Sequence, residues 1–458
     1  DIKRVNGKGE IMTFETKGKE NNGATYGRRS DWQDLYSIAK KYYEALLADP
    51  GNAQFHLTDP RGASDKSGRT FNNPYQYFFE QMHMDDAIYA DESIYEYPMQ
   101  QGGGNDGRPY SFGRPSSGGS KAAYPCKSYG QGRINPAYFY GVFDPNDMRR
   151  DVSITMTGSN GKGVEKLIPF VPNSKAEGGG LTLNKWDENR QANPWVAAQR
   201  KSGINGPYMR MSEVYLGYAE VCAALGDVVT GKQYLKTVRE RSFPQGLANT
   251  DAFIASFGND LVRAIIEERG FEYAGEGDRR WTLIRSGYLP EDIKRIKDMT
   301  KAMMDGLATK GYYEFENGNI ISAYIWTKLV DAKTIYGHRL TAQCPTDKVN
   351  DPVLYPGWRG QKDNWEEMGL NYGSSTPATN LAIKGLFEIV SEEEAASLES
   401  QGYAKVNWGI DLVDYRDEYD KYLFWDYDYV SAPIYLWPFT PNVMAAGGFT
   451  NGYGFKQE

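Results

Sequence analysis

The sequence predicts a mainly α-helical protein, with a scaffold that contains a tetratricopeptide-like helical hairpin and a second lobe that is irregular and rich in loops. Apolar and aromatic residues recur at three- and four-residue spacing over residues 32–46 and 211–241, as amphipathic helices require. Residues 101–205 lack that period and are divided by three glycine runs, which indicates ordered loops. A length of 458 residues allows roughly two or three structural units around a sizeable core.

The N-terminal part, residues 1–100, is expected to contribute helices to the scaffold. Its first 30 residues show no period and are interpreted as loop. A helix is predicted to begin at Trp32, with Ser30 or Asp31 as its N-cap. The turn-forming residues Asp49-Pro50-Gly51 should end it.

Aromatic side chains are concentrated in the loop-rich lobe of residues 101–205 and shortly before it. The runs 74–82 and 88–97 are aromatic, short and compatible with either strand or helix. Within the lobe, flat rings with polar neighbours could stack on the C–H faces of a sugar or on a peptide. The candidate ligand-binding residues of this lobe are Tyr110, Phe112, Tyr124, Tyr129, Trp186 and Trp195.

The alternative for these six aromatic residues is packing, because an aromatic residue in a long ordered loop commonly anchors the loop to the core. Tyr110, Tyr124 and Tyr129 are the preferred ligand contacts, since their Gly-, Ser- and Pro-rich neighbours indicate exposed loop tips. Trp186 and Trp195 could equally clamp the lobe to the core. Both interpretations stay open at the level of sequence.

Residues 206–300 are predicted to contain a helical hairpin. One helix extends from Met211 to the turn at Gly226-Asp227, and a second extends from about Thr230 to Arg241. A connection this short makes the two helices antiparallel. The residues expected on their buried faces are Tyr215, Tyr218, Leu225, Leu235 and Val238.

The segment after the hairpin combines regularly spaced carboxylates with many arginines. A third helix is predicted from about residue 260 toward Gly275, which would place Glu268, Glu272 and Glu276 on one face. Like charges at that spacing repel, so arginines are expected to pair with them in a partly buried lattice. The structural signature comprises Glu268, Arg269, Glu272, Glu276, Gly277, Arg279 and Arg285.

Closely spaced carboxylates also serve glycoside hydrolases, which need one protonated acid and one ionised group roughly 5 to 9.5 Å apart. Abundant guanidinium partners would keep every carboxylate of this segment ionised and leave no proton to donate. A structural ion-pair lattice is therefore the preferred interpretation. A secreted glycoside hydrolase with a helical core remains the alternative from another functional class.

The C-terminal part, residues 301–458, is expected to form an irregular lobe with helices at about 379–389 and 391–398. The acidic residues between positions 411 and 420 are interpreted as a solvated face, and residues 144–147 as an Asx turn rather than a cation site. Three cysteines and three histidines are scattered without ligand spacing. No metal, no cofactor and no catalytic residue is therefore predicted.

The overall charge restricts the possible partners. Lys and Arg together number 52 and Asp and Glu 60, which gives a formal net charge of −8 and argues against nucleic acid. Uninterrupted apolar runs stay well short of the roughly 18 to 20 residues that span a bilayer, so any membrane attachment is expected outside this sequence.

An ordered set of motifs resembles the SusD/RagB family, most specifically between residues 208 and 289. Thr282 stands where the family usually has Asp, and Gly275 where it has an aromatic or apolar residue. The matching segments are Arg210-Met211-Ser212-Glu213-Val214-Tyr215-Leu216, Tyr218-Ala219-Glu220, Val238-Arg239-Glu240-Arg241, Glu268-Arg269, Glu272, Glu276-Gly277, Arg279, Leu283-Ile284-Arg285, Trp437-Pro438 and Asn451-Gly452-Tyr453.

The resemblance implies an α-α superhelical scaffold of tetratricopeptide-like hairpins with irregular loops. It also implies a non-catalytic nutrient-binding subunit on the extracellular face of the outer membrane of Bacteroidetes. Such a subunit binds an oligosaccharide, or a peptide in some members, and caps a SusC-type TonB-dependent transporter for import. It also implies a signal peptide, a lipidated Cys and further tetratricopeptide-like helices at the N-terminus. Because the sequence starts at Asp1 without these features, it is expected to be truncated there.

Overall fold

The fold follows from a computed structural model, which describes most of the chain. The described residues are 29–60, 73–83, 89–104, 107–116, 127–160, 164–173, 178–188, 199–331, 379–423 and 439–448, together with four two-residue strands before residue 27. The expected mainly α-helical architecture is confirmed: long helices form the scaffold, and the strands are short.

In the sequence, helices occur before, within and after the loop-rich lobe. They are α1 (Trp32–Ala48), α2 (Pro74–Gln81), α3 (Arg108–Phe112), a π-helix (Tyr138–Val142), α4 (Arg149–Ser153), α5 (Met211–Ala224), α6 (Val228–Glu240), α7 (Thr250–Ala255), α8 (Leu261–Glu272), α9 (Asp278–Ser286), α10 (Leu289–Lys310), α11 (Glu392–Ser400), α12 (Gly409–Asp414), α13 (Arg416–Leu423) and α14 (Pro441–Gly447). None of the helices that the structure describes is both long and apolar enough to cross a membrane.

The strands form small antiparallel sheets. They are β1 (Arg4–Val5), β2 (Ile11–Met12), β3 (Gly18–Lys19), β4 (Thr25–Tyr26), β5 (Ser93–Tyr97), β6 (Ile154–Thr155), β7 (Thr157–Ser159), β8 (Glu165–Leu167), β9 (Thr182–Leu183), β10 (Gly206–Arg210), β11 (Tyr312–Glu314), β12 (Ile320–Ser322), β13 (Tyr324–Asp331), β14 (Thr379–Lys384) and β15 (Ala404–Asn407). Two-stranded pairs join β1 to β2, β3 to β4, β5 to β10, β6 to β9, β7 to β8 and β11 to β12, and a three-stranded sheet has the order β14-β13-β15. The first 30 residues, expected to be loop, thus contain two short strand pairs.

The predicted hairpin is present as α5 and α6. Asp227 caps α6, because its carboxylate accepts a hydrogen bond from the backbone N–H of Thr230 at 3.2 Å. The two helices approach closely at Gly231, where an added Cβ would stand 2.9 Å from the carbonyl oxygen of Ala219. Their contact face buries Leu216, Ala219, Leu235 and Val238.

The predicted buried face of α5 needs a correction. Tyr218, Leu235 and Val238 are buried as expected, whereas Tyr215 and Leu225 are only half-buried. The reason is that α5 packs against α1 and α8 as well as α6, so that its buried surface is broader than one stripe. A three- and four-residue spacing identifies a helix, but it does not say how many neighbours the helix has.

The largest hydrophobic cluster connects the loop-rich lobe to the C-terminal part. Its members from the π-helix, α10 and the segment before α12 are Phe139, Tyr140, Met303, Met304, Leu307 and Trp408. The indole N–H of Trp408 donates to the Tyr140 hydroxyl at 2.8 Å. The described lobe residues therefore share a core with the scaffold, which gives them fixed positions.

Two expectations for the C-terminal part need correction, and two further expectations, one there and one at residues 144–147, are confirmed. Residues 379–384 form strand β14 rather than a helix, because a short apolar run has no decisive period and its pairing with β13 determines the outcome. The solvated face predicted between residues 411 and 420 is present only in part: Asp414, Asp417 and Glu418 are exposed, whereas Asp411 is 2% exposed. Helix α11 forms where a helix was predicted at 391–398, and a reciprocal capping box between Ser391 and Glu394 begins it. Residues 144–147 form the expected Asx turn, in which Asn146 N–H donates to the Asp144 carboxylate.

Candidate functional site

The carboxylate of Glu272 lies at the centre of a buried ionic lattice. One oxygen accepts hydrogen bonds from Arg210 at 2.5 Å and Arg241 at 2.7 Å, and the other accepts one from Arg149 at 3.1 Å. Glu272 ends α8, while the three arginines come from α4, from β10 and from the end of α6. All four side chains are at most 1% exposed. A single carboxylate thus connects four separate segments of the chain.

Glu92 extends this lattice to the strand pair β5–β10. It precedes β5 and accepts from Arg210 at 2.9 Å and from Arg241 at 2.5 Å. Arg210 is the last residue of β10, and β10 is the strand that pairs with β5. The β5–β10 ribbon is therefore fixed to the helical scaffold by the same arginines that surround Glu272.

The other two carboxylates of the signature are paired as predicted. Glu268 accepts from Arg239 at 2.9 Å, and Glu276 accepts from Arg210 at 3.0 Å and from Lys185 at 2.7 Å. None of these side chains is more than 7% exposed. The expected pairing of these carboxylates with cationic side chains in a buried lattice is confirmed.

The geometry of the set differs from the predicted single helix face. Helix α8 ends at Glu272, and Glu276 lies in the following turn between two glycines with positive φ, Gly275 and Gly277. An added Cβ at Gly275 would collide with Leu183, so the side chain that the family has there does not fit at this position. The turn redirects Glu276 toward Arg210 and allows α9 to begin at residue 278.

The remaining arginines of the signature connect helices with one another. Each guanidinium pairs with a carboxylate of another segment: Arg269 with Glu213 at 2.6 Å, Arg279 with Glu267 at 2.7 Å and Arg285 with Glu220 at 2.7 Å. Thr282, which replaces the usual Asp, donates from its hydroxyl to Asp278 at 2.8 Å and accepts from Arg269 at 3.3 Å. The Thr282 hydroxyl therefore makes hydrogen bonds at the position of the usual Asp without adding a negative charge.

Neighbouring arginines lower the pKa of two buried carboxyl groups in this region, Glu272 and Glu267. Burial acts to raise the pKa of Glu272, but the charges of Arg241, Arg210 and Arg149 outweigh it and hold that pKa below its usual value. The same competition lowers the pKa of Glu267 to about 2. A general acid must carry a proton at working pH, so these two carboxylates are unsuited to donate one. We therefore assign the lattice a structural role.

Tyr110 and Tyr129, two of the predicted ligand contacts, lie against each other. Their ring centroids are 5.0 Å apart, and the backbone N–H of Tyr129 donates to the carbonyl of Tyr110 at 2.7 Å. The guanidinium of Arg200 lies 4.5 Å from the Tyr110 ring, and the ammonium of Lys127 lies 4.9 Å from the Tyr129 ring. Tyr110 is 8% exposed, so most of its ring packs, whereas Tyr129 is half-buried. Burial also raises the pKa of Tyr110. This group of four side chains is called the tyrosine patch below.

The other four predicted aromatic residues differ from one another in position. Phe112, on the same short helix as Tyr110, is 49% exposed. Trp186 is 3% exposed and belongs to a hydrophobic cluster with residues of α2, so it is a packing residue and not a ligand contact. Tyr124 and Trp195 lie outside the described residues.

A second group of exposed rings was not among the predicted site residues. Tyr95 and Tyr97 on β5 and Tyr208 on β10 are 55%, 58% and 77% exposed, and the Tyr95 and Tyr208 rings meet edge to face at 5.5 Å. The opposite face of the ribbon carries Glu96, which is buried and accepts from the side chain of Asn205 at 2.9 Å. The alternation of exposed tyrosine and buried glutamate in the sequence Tyr95-Glu96-Tyr97 is the period-two signal that would have identified this face.

Among the residues that the structure describes, no group of three or more His, Cys, Asp or Glu side chains is placed to hold a metal ion.

Comparison with known proteins gives matches to one family. The model of the SusD family matches residues 58–439 of this chain. A curated relative, the SusD-like protein P25 of Formosa agariphila, is 28% identical over 160 residues, which make up 35% of this chain and 26% of that protein.

The solved structures that resemble this chain have low sequence identity. A SusD homologue from Bacteroides thetaiotaomicron is 16% identical with a TM-score of 0.39, and the match covers 61% of this chain and 56% of that one. The surface glycan-binding protein A from the same species, in complex with laminarihexaose, is 18% identical with a TM-score of 0.38 and coverages of 57% and 52%. The chain thus spans about a quarter of the curated relative and just over half of these solved structures. Because the family model matches well over half of its residues, the chain belongs to the SusD family.

Proposed function

We propose that this protein is an oligosaccharide-binding subunit of a nutrient import system at the surface of the outer membrane. It caps a TonB-dependent transporter of the SusC type and delivers bound ligand to it, and an N-terminal lipid anchor holds it to the membrane. Membership of the SusD family supports this function. The protein binds its ligand without cleaving it, since the signature carboxylates that could have served a hydrolase are held in ion pairs.

The tyrosine patch is the observation that supports our choice of ligand face. Aromatic rings offer flat apolar faces to the C–H groups of a sugar, and nearby cationic side chains donate hydrogen bonds to its hydroxyls. Tyr129 and Lys127 provide this combination, and the exposed ring of Phe112 follows on the helix that carries Tyr110. Tyr124 and Trp195 remain proposed members of the same face.

A double variant at the most accessible rings tests the ligand face. We expect Phe112→Ala with Tyr129→Ala to weaken binding of neutral hexasaccharides at least about tenfold, because a few aromatic contacts usually provide most of the binding energy. Isothermal titration with laminarihexaose, maltohexaose and cellohexaose measures the affinity. Tyr42→Ala is the matched control, since Tyr42 is 70% exposed and belongs to α1, outside the loop-rich lobe of residues 101–205.

The outcomes of this titration separate the alternatives. Unchanged affinity in a folded double variant would place the ligand face elsewhere. Binding of short peptides instead of any oligosaccharide would assign the protein to the peptide-binding alternative. Release of reducing ends from an oligosaccharide during the titration would identify it as a hydrolase.

The import partner is tested on the native protein. Gentle purification from outer membranes, followed by mass spectrometry, should recover a large TonB-dependent barrel protein with it. A native protein that is recovered alone under these conditions would contradict the transporter assignment.

A further inference from the structure

The tyrosine patch contains two positive charges that have no carboxylate partner. Arg200 is exposed and Lys127 is half-buried, and neither forms an ion pair with a carboxylate of the described residues. The arginines of the lattice differ, since Arg210 and Arg241 each have a carboxylate oxygen within 2.7 Å. The two cations of the patch lie over aromatic rings instead. Their charges are therefore available to a ligand.

The loop-rich lobe that contains the patch is positively charged. Residues 101–205 include 14 Lys and Arg but only 8 Asp and Glu, a net charge of +6 in a chain whose net charge is −8. The stretches that precede the two cations in the sequence, 117–126 and 189–198, contain Lys121 and Arg190 and no acidic residue. A positively charged lobe raises the local concentration of anionic ligands.

The backbone that carries Arg200 is held in an unfavourable conformation. Its φ of 60° lies in the left-handed region, which residues other than Gly, Asn and Asp seldom adopt. The next residue fixes this turn: the Lys201 ammonium donates to the Gly103 carbonyl at 2.9 Å, and the Lys201 carbonyl accepts from the Gly102 N–H at 2.9 Å. Residues held in such conformations by their surroundings are concentrated at functional sites. This favours a binding role for Arg200, because glycine would fit the turn with less strain.

Lys127 also stands on a fixed backbone. The adjacent Ser128 exchanges two backbone hydrogen bonds with Ser116, at 3.0 and 3.1 Å, and its hydroxyl donates to the Pro109 carbonyl at 2.8 Å. Lys127 and Arg200 thus come from separate, fixed segments and meet over one pair of rings. A ligand that uses both cations has less protein to order when it binds.

An acidic sugar matches both parts of the patch. Its ring can stack on the rings of Tyr129 and Phe112, and its anionic group can accept hydrogen bonds from a guanidinium and an ammonium group. We propose that the tyrosine patch selects acidic oligosaccharides, with Arg200 and Lys127 binding the carboxylate or sulfate group of the ligand. The choice of a sugar rests on the proposed function. The preference for negative charge rests on the two cations and on the charge of the lobe.

Two pairs of ligands that differ in charge test this preference. Isothermal titration at low ionic strength compares hexagalacturonate with its methyl ester, and sulfated laminarihexaose with laminarihexaose. The acidic member of at least one pair should bind at least about tenfold tighter, because charge-assisted hydrogen bonds are stronger than neutral ones. The pair that shows the difference identifies the anionic group as carboxylate or sulfate. Added salt should reduce the difference, since exposed charges are screened.

Single substitutions assign the preference to the patch. Arg200→Gln and Lys127→Gln should each weaken binding of the acidic ligand at least about threefold and leave binding of its neutral counterpart unchanged. Lys166→Gln on β8 is the matched control, because it removes one positive charge from the same lobe outside the tyrosine patch. This control should retain the preference of the parent for the acidic ligand.

Arg200→Gly separates a binding role from a structural one. Glycine adopts a φ of 60° without strain, so this variant should keep the thermal midpoint of the parent or exceed it, while its affinity for the acidic ligand falls. A variant that melts at a lower temperature and still prefers the acidic ligand would make Arg200 a structural residue and overturn the proposal.

The results distinguish this inference from the proposed function. If acidic and neutral ligands bind equally, and Phe112→Ala with Tyr129→Ala weakens both, the charge preference is overturned and the proposed function stands. If no oligosaccharide binds, both fail. A charge preference that survives both Arg200→Gln and Lys127→Gln, or that Lys166→Gln reduces equally, would also overturn the role of these two cations.

Discussion

The lattice around Glu272 and the tyrosine patch use cationic side chains for opposite purposes. In the lattice, Arg149, Arg210 and Arg241 are buried and point at carboxylates, which fixes segments that are far apart in sequence. In the patch, Arg200 and Lys127 lie over the rings of Tyr110 and Tyr129 and not over carboxylates. The difference teaches that charge density along this sequence does not indicate where a ligand binds. The most charged segment holds the fold, and the ligand face is proposed where aromatic rings dominate.

The largest effect is expected from breaking the centre of the lattice. Glu272→Ala leaves three buried arginines without their shared carboxylate, which should lower the free energy of unfolding by roughly 3 to 5 kcal/mol. Urea unfolding followed by circular dichroism measures the loss. Glu240→Ala is the matched control: Glu240 is exposed on α6, and its pair with Lys236 should contribute less than about 1 kcal/mol. A Glu272→Ala protein as stable as the parent, but unable to bind ligand, would show that the lattice is a ligand site.

An intermediate effect is expected from acid. The pKa of Glu267 is about 2 in the folded protein: burial acts to raise it, and the charges of Arg279, Arg295 and Arg263 lower it by more. The unfolded chain, with an ordinary glutamate pKa near 4.5, takes up protons first as the pH falls, so the contribution of Glu267 to stability is complete above that value and is lost toward pH 2.

The acid effect is measured by comparing the parent with Glu267→Gln. The difference between their unfolding free energies should narrow by roughly 3 kcal/mol between about pH 5 and pH 2, because the variant has no proton to take up at this position. Glu240→Gln should follow the parent over the same range. A difference between parent and Glu267→Gln that is independent of pH would contradict the ion pairing of Glu267.

The smallest effect on stability is expected at the exposed ribbon. Tyr208→Ala removes a ring that is 77% exposed, so the free energy of unfolding should change by no more than about 0.5 kcal/mol. Thermal unfolding of the variant measures this. A loss of several kcal/mol would mean that the ribbon face is covered by another part of the protein, and the contrast between a buried lattice and exposed rings would not extend to β5 and β10.

The sequence predicted the scaffold more accurately than the ligand face. Helices α1, α5 and α6 appear close to their predicted positions, because caps, stops and helical periodicity are local signals. The paired carboxylates of the signature were predictable for a similar reason, since repeated like charges require nearby cations. Strand β14 was missed because its short apolar run becomes a strand only through pairing with β13.

The aromatic residues show what local patterns leave undetermined. Trp186, Tyr110 and Phe112 have similar loop-rich neighbours in sequence, yet they are 3%, 8% and 49% exposed. Their exposure depends on what packs against each ring, and those neighbours come from distant segments such as α2 and residue 200. Periodicity could have identified Tyr95 and Tyr97, but not that Tyr208 would join them across the ribbon.

By itself, the sequence determined the helical class of the protein, the hairpin of α5 and α6, and the pairing of the signature glutamates with cations. These features depend on residues near one another in the chain, where spacing and side-chain chemistry act directly. The tertiary structure decided which arginine meets which carboxylate, which rings stay exposed, and that Arg200 and Lys127 lie over neighbouring rings. Each of these depends on contacts between segments tens to hundreds of residues apart, which no local pattern encodes.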